Sequence, residues 1–494
     1  MRHYDMLVIG SGPAGHSAAI QAAELGKKVV IIEKKAAIGG VSLHTGTIPS
    51  KTLREAVMYL TGYNQRGLYG QSYRLKATVS VEDLMKRLDI TVNHEVQVME
   101  TQLYRSGVRV IQGAATFEDT NTVMVTGPKG DVHRYSADKI VLATGTKPYR
   151  PAHIPFDGTR ILDSDDILTI KHLPRRMIVV GAGVIGTEYA SLFSALDVNV
   201  TLIDGRDTML DFLDKEVVEE CMHFLRKRNV RIRLGEKVVD VEHAGQKQIL
   251  TTLESGKKIH ADMILFASGR VGNVKTLQVD KVGLKPDDRG RLTVNRHYQT
   301  NIPNIYACGD LIGFPSLASS AMEQGRLSAS HAFGQPRNSH AETFPFAIYG
   351  IPEISMVGMT EQELTKKKIP YTVGIARIAE TARGQIMGAR LGFLKLLFDQ
   401  DGKLMGVHIL GEESSELIHV GQAVMAHNGS IDYFLENIFN YPTLSEAYKV
   451  AALDAWNQME AQRMCPIDLD EDEDIEVEGV DAGLIVSLDV VEED

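Results

Sequence analysis

Two glycine-rich segments have a spacing that lets the protein backbone approach a phosphate group closely. The first is Gly10-Ser11-Gly12-Pro13-Ala14-Gly15, and the second is Gly181-Ala182-Gly183-Val184-Ile185-Gly186. In this spacing the first glycine permits a tight turn, the second admits a pyrophosphate, and the third allows close packing of a helix on a strand. The N–H groups at the start of that helix then face the phosphates. Each segment therefore predicts a dinucleotide site.

An acidic residue follows both segments at the same distance. Glu33 lies 18 residues after Gly15, and Asp204 lies 18 residues after Gly186. Each acid ends an apolar run, where its carboxylate can accept hydrogen bonds from ribose hydroxyls. One such glycine motif is often only a turn, but two framed copies indicate two dinucleotide sites. Two dinucleotides on one chain imply hydride transfer between a nicotinamide and a second redox carrier, most simply FAD.

The elements that must position these residues follow from the apolar pattern. Strands are predicted at residues 4–10 and 28–33, with a helical stretch at 18–25 between them. The same order recurs with strands at 177–180 and 200–204. Alternating strands and helices of this kind predict an α/β fold with two Rossmann-like units.

Further segments resemble a known family. Gly39 to Lys51 (GGVSLHTGTIPSK) resembles the flavin-flanking segment of the dihydrolipoamide dehydrogenase and glutathione reductase superfamily, the class I pyridine nucleotide-disulfide oxidoreductases. Residues 143–145 (ATG), 269–270 (GR) and 305–310 (IYACGD) are similar to other segments of that superfamily. The resemblance covers about residues 4–460 and implies two Rossmann-like domains, for FAD and NAD(P), plus an α+β C-terminal dimerisation domain.

The resemblance also implies domain boundaries. They are an FAD-binding domain at 1–150, an NAD(P)-binding domain at 151–275, a second FAD-contacting segment at 276–344, an interface domain at 345–465 and an acidic tail at 466–494.

The resemblance assigns roles to individual residues, with FAD as cofactor and NAD and NADP as substrates. The catalytic candidates are Lys51, Glu188, Tyr441 and Glu446. The candidates for binding the dinucleotides are Gly10, Gly12, Gly15, Glu33, Lys34, Gly39, Gly40, Val41, Ser42, Lys51, Ala115, Thr144, Gly145, Arg270, Asp310, Ala318, Gly181, Gly183, Gly186, Glu188, Asp204, Arg206 and Gly269. Asp310 matches the aspartate that holds the flavin ribityl chain in such enzymes.

The thiol chemistry of the superfamily lacks its residues here. Its disulfide reductases carry two cysteines at the positions of Ser42 and Thr47, and a histidine base at the position of Tyr441. A hydroxyl cannot form a disulfide, and a tyrosine with an ordinary pKa of about 10 is a poor proton shuttle. We therefore expect no reduction of lipoamide or glutathione. The three cysteines are far apart, so no metal site is predicted, and Cys308 is expected to be a buried, inert thiol.

Within the superfamily, the chain resembles the soluble pyridine nucleotide transhydrogenases. The resemblance lies in residues 439–443 and 46–51, supported by 269–273, 315–319 and 448–453. It implies ping-pong chemistry, in which NADPH gives a hydride to the flavin and NAD⁺ then takes it at the same site. Lys51 would stabilise the reduced flavin and pair with Glu188. One departure is Ser42, because those enzymes typically keep a cysteine there.

Two points remain open from the sequence. A carboxylate at Asp204 favours NAD and a nearby Arg206 favours a 2′-phosphate, so the pair suits a site that accepts both; a solvated turn is an equal alternative. The activity itself has alternatives, namely an NAD(P)H oxidase or diaphorase that reduces oxygen or a quinone, or an inert flavoprotein that serves as a binding subunit. Tyr441 and Glu446 are expected to face a partner subunit in a homodimer or larger homo-oligomer.

Charge is concentrated at one end of the chain. The 494 residues include 53 Lys+Arg and 64 Asp+Glu, a net charge of −11. Residues 466–494 hold 13 acidic residues and no Lys or Arg, which leaves the remainder with a net charge of +2. No basic excess indicates nucleic-acid binding, and no run of about 18 apolar residues predicts a membrane span. No signal peptide is apparent, so a cytoplasmic protein is expected.

Two segments of the acidic tail and one basic run carry separate expectations. Residues 468–478 are expected to be disordered or solubilising, while residues 484–488 are apolar enough to dock as a strand. The basic run Arg226-Lys227-Arg228 is expected to be a solvated helix face.

Overall fold

The computed structural model describes residues 1–70, 72–245, 247–335 and 344–464. The predicted tail at 466–494, with its expected disordered stretch and docking strand, lies outside the described residues. The strands are β1 (Arg2–Ile9), β2 (Val29–Glu33), β3 (Arg109–Gln112), β4 (Ala114–Phe117), β5 (Thr122–Thr126), β6 (Val132–Leu142), β7 (Thr146–Pro148), β8 (Ile161–Asp163), β9 (Arg176–Val180), β10 (Asn199–Ile203), β11 (Arg231–Arg233), β12 (Val238–Ala244), β13 (Gln248–Leu253), β14 (Lys258–Ala261), β15 (Met263–Phe266), β16 (Arg270–Gly272), β17 (Ile305–Ala307), β18 (Phe346–Ile348), β19 (Ile354–Gly358), β20 (Thr372–Arg377), β21 (Phe393–Phe398) and β22 (Leu404–Leu410).

Helices connect and cover these strands. They are α1 (Pro13–Glu24), α2 (Gly40–His44), α3 (Thr47–Thr61), α4 (Arg66–Tyr69), α5 (Val81–Arg105), α6 (Val184–Ala195), α7 (Lys215–Lys227), α8 (Ala318–Ala332), α9 (Glu361–Lys366), α10 (Ala382–Met387), α11 (Ser414–Ala426), α12 (Ile431–Glu436) and α13 (Glu446–Met464). No helix in the described ranges is both long and apolar enough to cross a membrane.

The first sheet forms the base of the first predicted dinucleotide unit. Its order is β3-β2-β1-β6-β5-β4, with β17 also paired to β6. Strands β3, β2, β1, β6 and β17 are parallel, whereas β5 and β4 are antiparallel to their neighbours. All five residues of β2 are buried, which fits a parallel strand covered on both faces.

The second sheet repeats this design. Its order is β11-β10-β9-β15-β8, and every pairing is parallel. A separate antiparallel sheet of β12, β13 and β14 accompanies it. The short antiparallel pair of β7 and β16 aligns Pro148 with Arg270 at the two ends of the segment that holds this second unit.

The third unit is antiparallel and lies at the end of the described chain. Its sheet has the order β18-β19-β22-β21-β20, and α11, α12 and α13 contribute to the same hydrophobic core. One unit with a mainly parallel sheet, one with a fully parallel sheet and one α+β unit confirm the predicted α/β fold class. The domain boundaries at 150, 275, 344 and 465 stay a prediction.

One expectation about surface charge is wrong in part. Arg226 and Lys227 are exposed, but Arg228 is half-buried and its guanidinium lies 4.9 Å from the centre of the Tyr63 ring. Arg228 lies just after α7, which ends at Lys227. The periodicity of a helix therefore could not predict that its side chain is half-buried.

Candidate active site

A cavity at the carboxyl ends of β1, β2 and β6 brings together most of the residues predicted for the first dinucleotide. This dinucleotide cavity also includes Thr47, at the start of α3. The predicted residues that line it are Gly10, Gly12, Glu33, Lys34, Gly40, Val41, Ser42, Ala115, Thr144, Gly145, Asp310 and Ala318.

The three glycines of the first loop have different surroundings. Gly10 has a φ of +103°, and a Cβ there would overlap the carbonyl of Ala143. A Cβ on Gly15 would overlap the carbonyl of Gly10, so this glycine lets α1 pack directly against the loop. The position of a Cβ on Gly12 has nothing nearer than the Cα of Gly40 at 3.9 Å. Gly12 therefore leaves the backbone open at the start of α1.

The carboxylate of Glu33 is buried and holds the glycine loop. It accepts hydrogen bonds from the Ser11 N–H at 3.0 Å, from the Ser11 hydroxyl at 2.7 Å and from the Lys35 N–H at 2.9 Å. The expected contact with a ribose would add to these bonds. The structural role of this acid was missed by sequence reasoning, although its place at a strand end was predicted.

The cavity has the features that FAD requires. Glu33 at one end suits a ribose, and the open backbone at Gly12 suits a pyrophosphate. The buried Thr144 hydroxyl, on the lining, has no hydrogen-bond partner among the described residues. Asp310 also lines the cavity and accepts a hydrogen bond from the Thr146 hydroxyl at 3.2 Å. These polar groups converge on one space, so the residues present fit the cofactor.

The second glycine loop has the same geometry. Gly181 has a φ of +108°, and a Cβ on Gly186 would overlap its carbonyl. The position of a Cβ on Gly183 meets only the guanidinium of Arg206, at 3.9 Å. Both loops therefore present an open glycine at the start of a helix, here α6.

Asp204 and Arg206 form a close ion pair beside this loop. Arg206 donates from Nη2 to one carboxylate oxygen at 2.9 Å and from Nε to the other at 3.2 Å. Asp204 also accepts the Ala182 N–H at 2.6 Å. Burial raises the pKa of Asp204, but hydrogen bonds from Arg206 and Ala182 outweigh it and hold the pKa below its ordinary value. Asp204 is thus an ionised group whose two oxygens already have partners.

Lys51 and Glu188 connect the two nucleotide units. The Lys51 ammonium, in α3, lies 2.9 and 3.0 Å from the two carboxylate oxygens of Glu188, in α6. Tyr349 completes the arrangement, because its N–H donates to Glu188 at 2.9 Å and its ring centre lies 4.8 Å from the ammonium. Tyr349 was missed by sequence reasoning, since no motif around it signals a contact across 161 residues.

Three further predicted residues, Arg270, Gly39 and Gly269, do not line the dinucleotide cavity. Arg270 does not line it, but donates to the Thr146 hydroxyl at 2.9 Å and lies 3.1 Å from Asp165, and both of these residues do. Gly39 and Gly269 have φ values of +107° and +109° and shape turns. Each of these three residues therefore supports the site through the backbone or a neighbour.

Tyr441 and Glu446 are not brought to the dinucleotide cavity within one chain. Tyr441 is 68% exposed, and Glu446 begins α13 with one buried carboxylate oxygen that has no hydrogen-bond partner in the described part of the chain. Neither residue lines the cavity. Their predicted place against a partner subunit stays a prediction.

Two hydroxyl side chains and one thiol contribute to the lining of the dinucleotide cavity. Ser42 and Thr47 both line the dinucleotide cavity. Cys308 lines it too, but its side chain is fully buried, and burial raises the pKa of its thiol to about 12. The expected buried and unreactive state of Cys308 fits this environment.

Comparisons with known proteins agree with this geometry. A family model described as pyridine nucleotide-disulphide oxidoreductase matches residues 4–325, and the model of its dimerisation domain matches residues 344–452. The soluble pyridine nucleotide transhydrogenase of Mycobacterium bovis is 52% identical over 463 residues, covering 93% of this chain and 99% of the relative. That of Colwellia psychrerythraea is 45% identical over 461 residues, covering 92% and 98%.

Solved structures share the fold at lower identity. LpdA from Mycobacterium tuberculosis has a TM-score of 0.84 at 26% identity, covering 92% of this chain and 99% of that one. The HOCl-induced flavoprotein disulfide reductase RclA from Escherichia coli has a TM-score of 0.81 at 26% identity, covering 91% and 99%. The prediction of a flavoprotein oxidoreductase that uses FAD is confirmed, and the chain belongs to the pyridine nucleotide-disulphide oxidoreductase family.

Proposed function

We propose that this protein is a transhydrogenase that moves a hydride between NADPH and NAD⁺ through FAD, without a redox disulfide. The observation that carries the proposal is that Ser42 and Thr47 line the dinucleotide cavity. The family resemblance matches these two hydroxyl residues to the cysteine pair of the disulfide reductases. Electrons then have no dithiol to enter, and a nicotinamide is the remaining acceptor that the fold binds. The names of relatives that are 45% and 52% identical support the same activity.

The residues of this chain supply position and charge. When bound, FAD supplies a two-electron carrier that can take a hydride from one nicotinamide and give it to another. Lys51 does not itself line the cavity, but it follows Thr47, which does, by one turn of α3. Its positive charge would stabilise negative charge on a reduced cofactor. Glu188 and Tyr349 fix its ammonium in place through the contacts of 2.9, 3.0 and 4.8 Å.

Both nicotinamide dinucleotides would use the second glycine loop in turn. The Asp204 carboxylate suits the 2′-hydroxyl of NAD, and the Arg206 guanidinium suits the 2′-phosphate of NADP. The two groups form an ion pair in the structure, and Arg206 also lies 3.2 Å from Asp211. The guanidinium therefore keeps a carboxylate partner when Asp204 turns to a ribose hydroxyl. This supports a ping-pong order in which one site serves both substrates.

We also propose that the enzyme is a homo-oligomer, in which a partner covers the region around Tyr441. The dimerisation-domain match over residues 344–452 supports this assembly. Ile438 and Tyr441 are 95% and 68% exposed in the single chain, and Glu446 has an unpartnered buried oxygen. With no thiol to protonate, Tyr441 would shield the nicotinamide or pack against the partner.

An assay with a nicotinamide analogue tests the function. The FAD-loaded protein is mixed with NADPH and thio-NAD⁺ under air and again without oxygen, and both dinucleotides are followed by absorbance. We expect thio-NAD⁺ to be reduced at the same rate in both conditions, with one analogue reduced for each NADPH oxidised. NADPH loss only in air would instead identify an oxidase, and a flavin that NADPH never bleaches would identify an inert subunit; either result would refute the proposal.

A further inference from the structure

A second cavity, of about 630 Å³, shares no lining residue with the dinucleotide cavity. It lies where the turn after α3, the end of α7 and the third unit meet. Its volume falls in the range of about 300–1,000 Å³ that holds small molecules in proteins. We name it the junction cavity.

The charge of the junction cavity is strongly positive. Four cations line it, namely Arg66, Lys227, Arg228 and Arg390. None of the four has a carboxylate within 4.0 Å among the described residues. The lining also holds one acidic residue, Glu412, whose oxygen lies 2.8 Å from the Arg54 guanidinium. Arg54 contacts Glu55 and Glu353 as well, so the four cations on the lining face one partly neutralised carboxylate.

The guanidinium groups make few bonds of their own. Arg66 donates to the Thr61 carbonyl at 3.3 Å, Arg228 to the Ser194 carbonyl at 3.0 Å and Arg390 to the Gly67 carbonyl at 2.8 Å. An arginine has five N–H groups, so most donors of each side chain remain available.

Arg66 is the least expected of these cations. It is only 4% exposed, and its Nε is buried without a hydrogen-bond partner in the described part of the chain. Burial and the nearby charges of Arg74 and Arg228 lower the pKa of Arg66, and the charge of Asp197 offsets this only in part. A buried cation beside other cations is costly unless an anion offsets their charge.

The aromatic ring of Tyr63 contacts the guanidinium groups of two of these arginines. Its ring centre lies 4.9 Å from the Arg228 guanidinium and 5.7 Å from that of Arg66. Burial raises the pKa of Tyr63 to about 12, so its hydroxyl remains a hydrogen-bond donor at neutral pH. Apolar side chains, including Phe224 and Met387, also line the cavity, together with the amide of Asn64.

We propose that the junction cavity binds a small phosphate-bearing anion, held by Arg66, Lys227 and Arg228. Phosphate is the chemistry that fits, because guanidinium forks match its oxygens and several cations face one space. The apolar lining leaves room for an organic part of the ligand. The bound anion would neutralise a buried charge at a point where three parts of the chain meet, and would therefore stabilise their packing.

Calorimetric titration of the full-length, FAD-loaded enzyme with pyrophosphate tests the proposal. Sodium chloride of matched ionic strength serves as the blank, and the flavin spectrum verifies that each variant is folded. We expect Arg228→Gln to weaken pyrophosphate binding by about tenfold or more, as expected for the loss of a charge-assisted hydrogen bond. Lys227→Gln, at an exposed position that does not support the fold, should weaken it several-fold.

Arg226→Gln is the matched control, since it removes an exposed charge from the same helix without touching the cavity. It should leave the affinity unchanged. Equal affinity in all three variants would place pyrophosphate at the dinucleotide sites and overturn the proposal. Absence of binding heat in the wild-type enzyme would overturn it as well.

Discussion

Glu33, at the end of β2, and Asp204, directly after β10, both hold a glycine loop in place, but with different partners. Glu33 accepts the N–H of Ser11, and Asp204 accepts the N–H of Ala182, so each carboxylate ties down the residue after the first glycine. Glu33 adds the Ser11 hydroxyl, whereas Asp204 adds the Arg206 guanidinium. A charged, displaceable partner is therefore present only at the second of these two loops, where we propose that the substrates exchange.

Removing that partner should change the choice of substrate. In Arg206→Ala the 2′-phosphate of NADPH loses a charge-assisted contact. The Asp204 carboxylate loses the guanidinium but keeps the backbone N–H groups of residues 182 and 206, so it can still accept a hydrogen bond from the ribose of NADH. We expect the KM for NADPH to rise by about tenfold and the KM for NADH to stay level or fall. Steady-state kinetics with each reductant and one acceptor measures both values.

Arg175→Ala provides the control for this substitution. Arg175 is exposed and precedes β9, so it lies at the opposite end of the second sheet from Asp204. It should alter neither KM. If Arg206→Ala weakens NADPH and NADH equally, the dual role of the ion pair is wrong.

Residues in short sequence motifs could be predicted from the sequence, whereas residues that act through contacts with distant parts of the chain could not without a family resemblance. The glycine loops were predicted because the three glycines of each loop lie within six consecutive residues, so their spacing is visible in the sequence. The Lys51–Glu188 pair was inferred from a family resemblance, and its contact spans 137 residues. Tyr349 and Arg228 escaped prediction, because their roles depend on tertiary contacts that leave no pattern beside them in the chain.

At the level of elements, a buried lysine connects the second unit to the third. Lys395 lies in β21 and is fully buried, and its ammonium lies 2.9 Å from Asp214 and from Glu216 and also contacts Glu361. These three carboxylates are close enough together to hold a metal ion, but the ammonium contacts all of them. Asp214 and Glu216 lie at the start of α7, so this cluster fixes that helix against the C-terminal sheet.

Replacing this lysine should weaken the whole enzyme. Lys395→Met leaves three carboxylates without a cation, and Asp214 is buried, so we expect a loss of about 3–5 kcal/mol in the free energy of unfolding. The shift in the urea midpoint of the FAD-loaded enzyme measures it. Lys403→Met, at an exposed position in the same unit, should leave the midpoint unchanged. Equal midpoints in the two variants would contradict a stabilising role for the cluster.

The predicted elements differ from the observed ones mainly at their ends. The first helix was predicted at 18–25, but α1 begins at Pro13. Proline suits the first turn of a helix, since its missing N–H would have no partner there. The helix therefore starts within the glycine motif itself, which is what directs its N-terminus toward the cavity, and apolar periodicity alone could not detect this.

At the scale of the whole molecule, the acidic segment at 466–494 and the catalytic candidates lie in different parts of the chain. The dinucleotide cavity and its Lys51–Glu188–Tyr349 contact are complete by residue 349 in the sequence. The helix α13 closes the third core, and the last residue in that core is Met459. The segment of 13 acidic residues begins only after residue 465. All residues of the described site therefore precede the acidic segment in the sequence.

Truncation after Arg463 should preserve activity and change charge. The shortened chain loses 13 acidic and no basic residues, so its formal charge changes from −11 to +2 and its retention on an anion exchanger should fall. The rate of hydride transfer and the flavin spectrum should equal those of the full chain, and size-exclusion chromatography should give the same oligomeric state.

A chain that ends after Leu453 is the contrasting variant, because it removes Ala455 and Met459 from the third core. That variant should unfold at a lower temperature, since buried apolar side chains are lost. Loss of flavin or of oligomer already on truncation after Arg463 would show that the acidic segment supports the core of the enzyme.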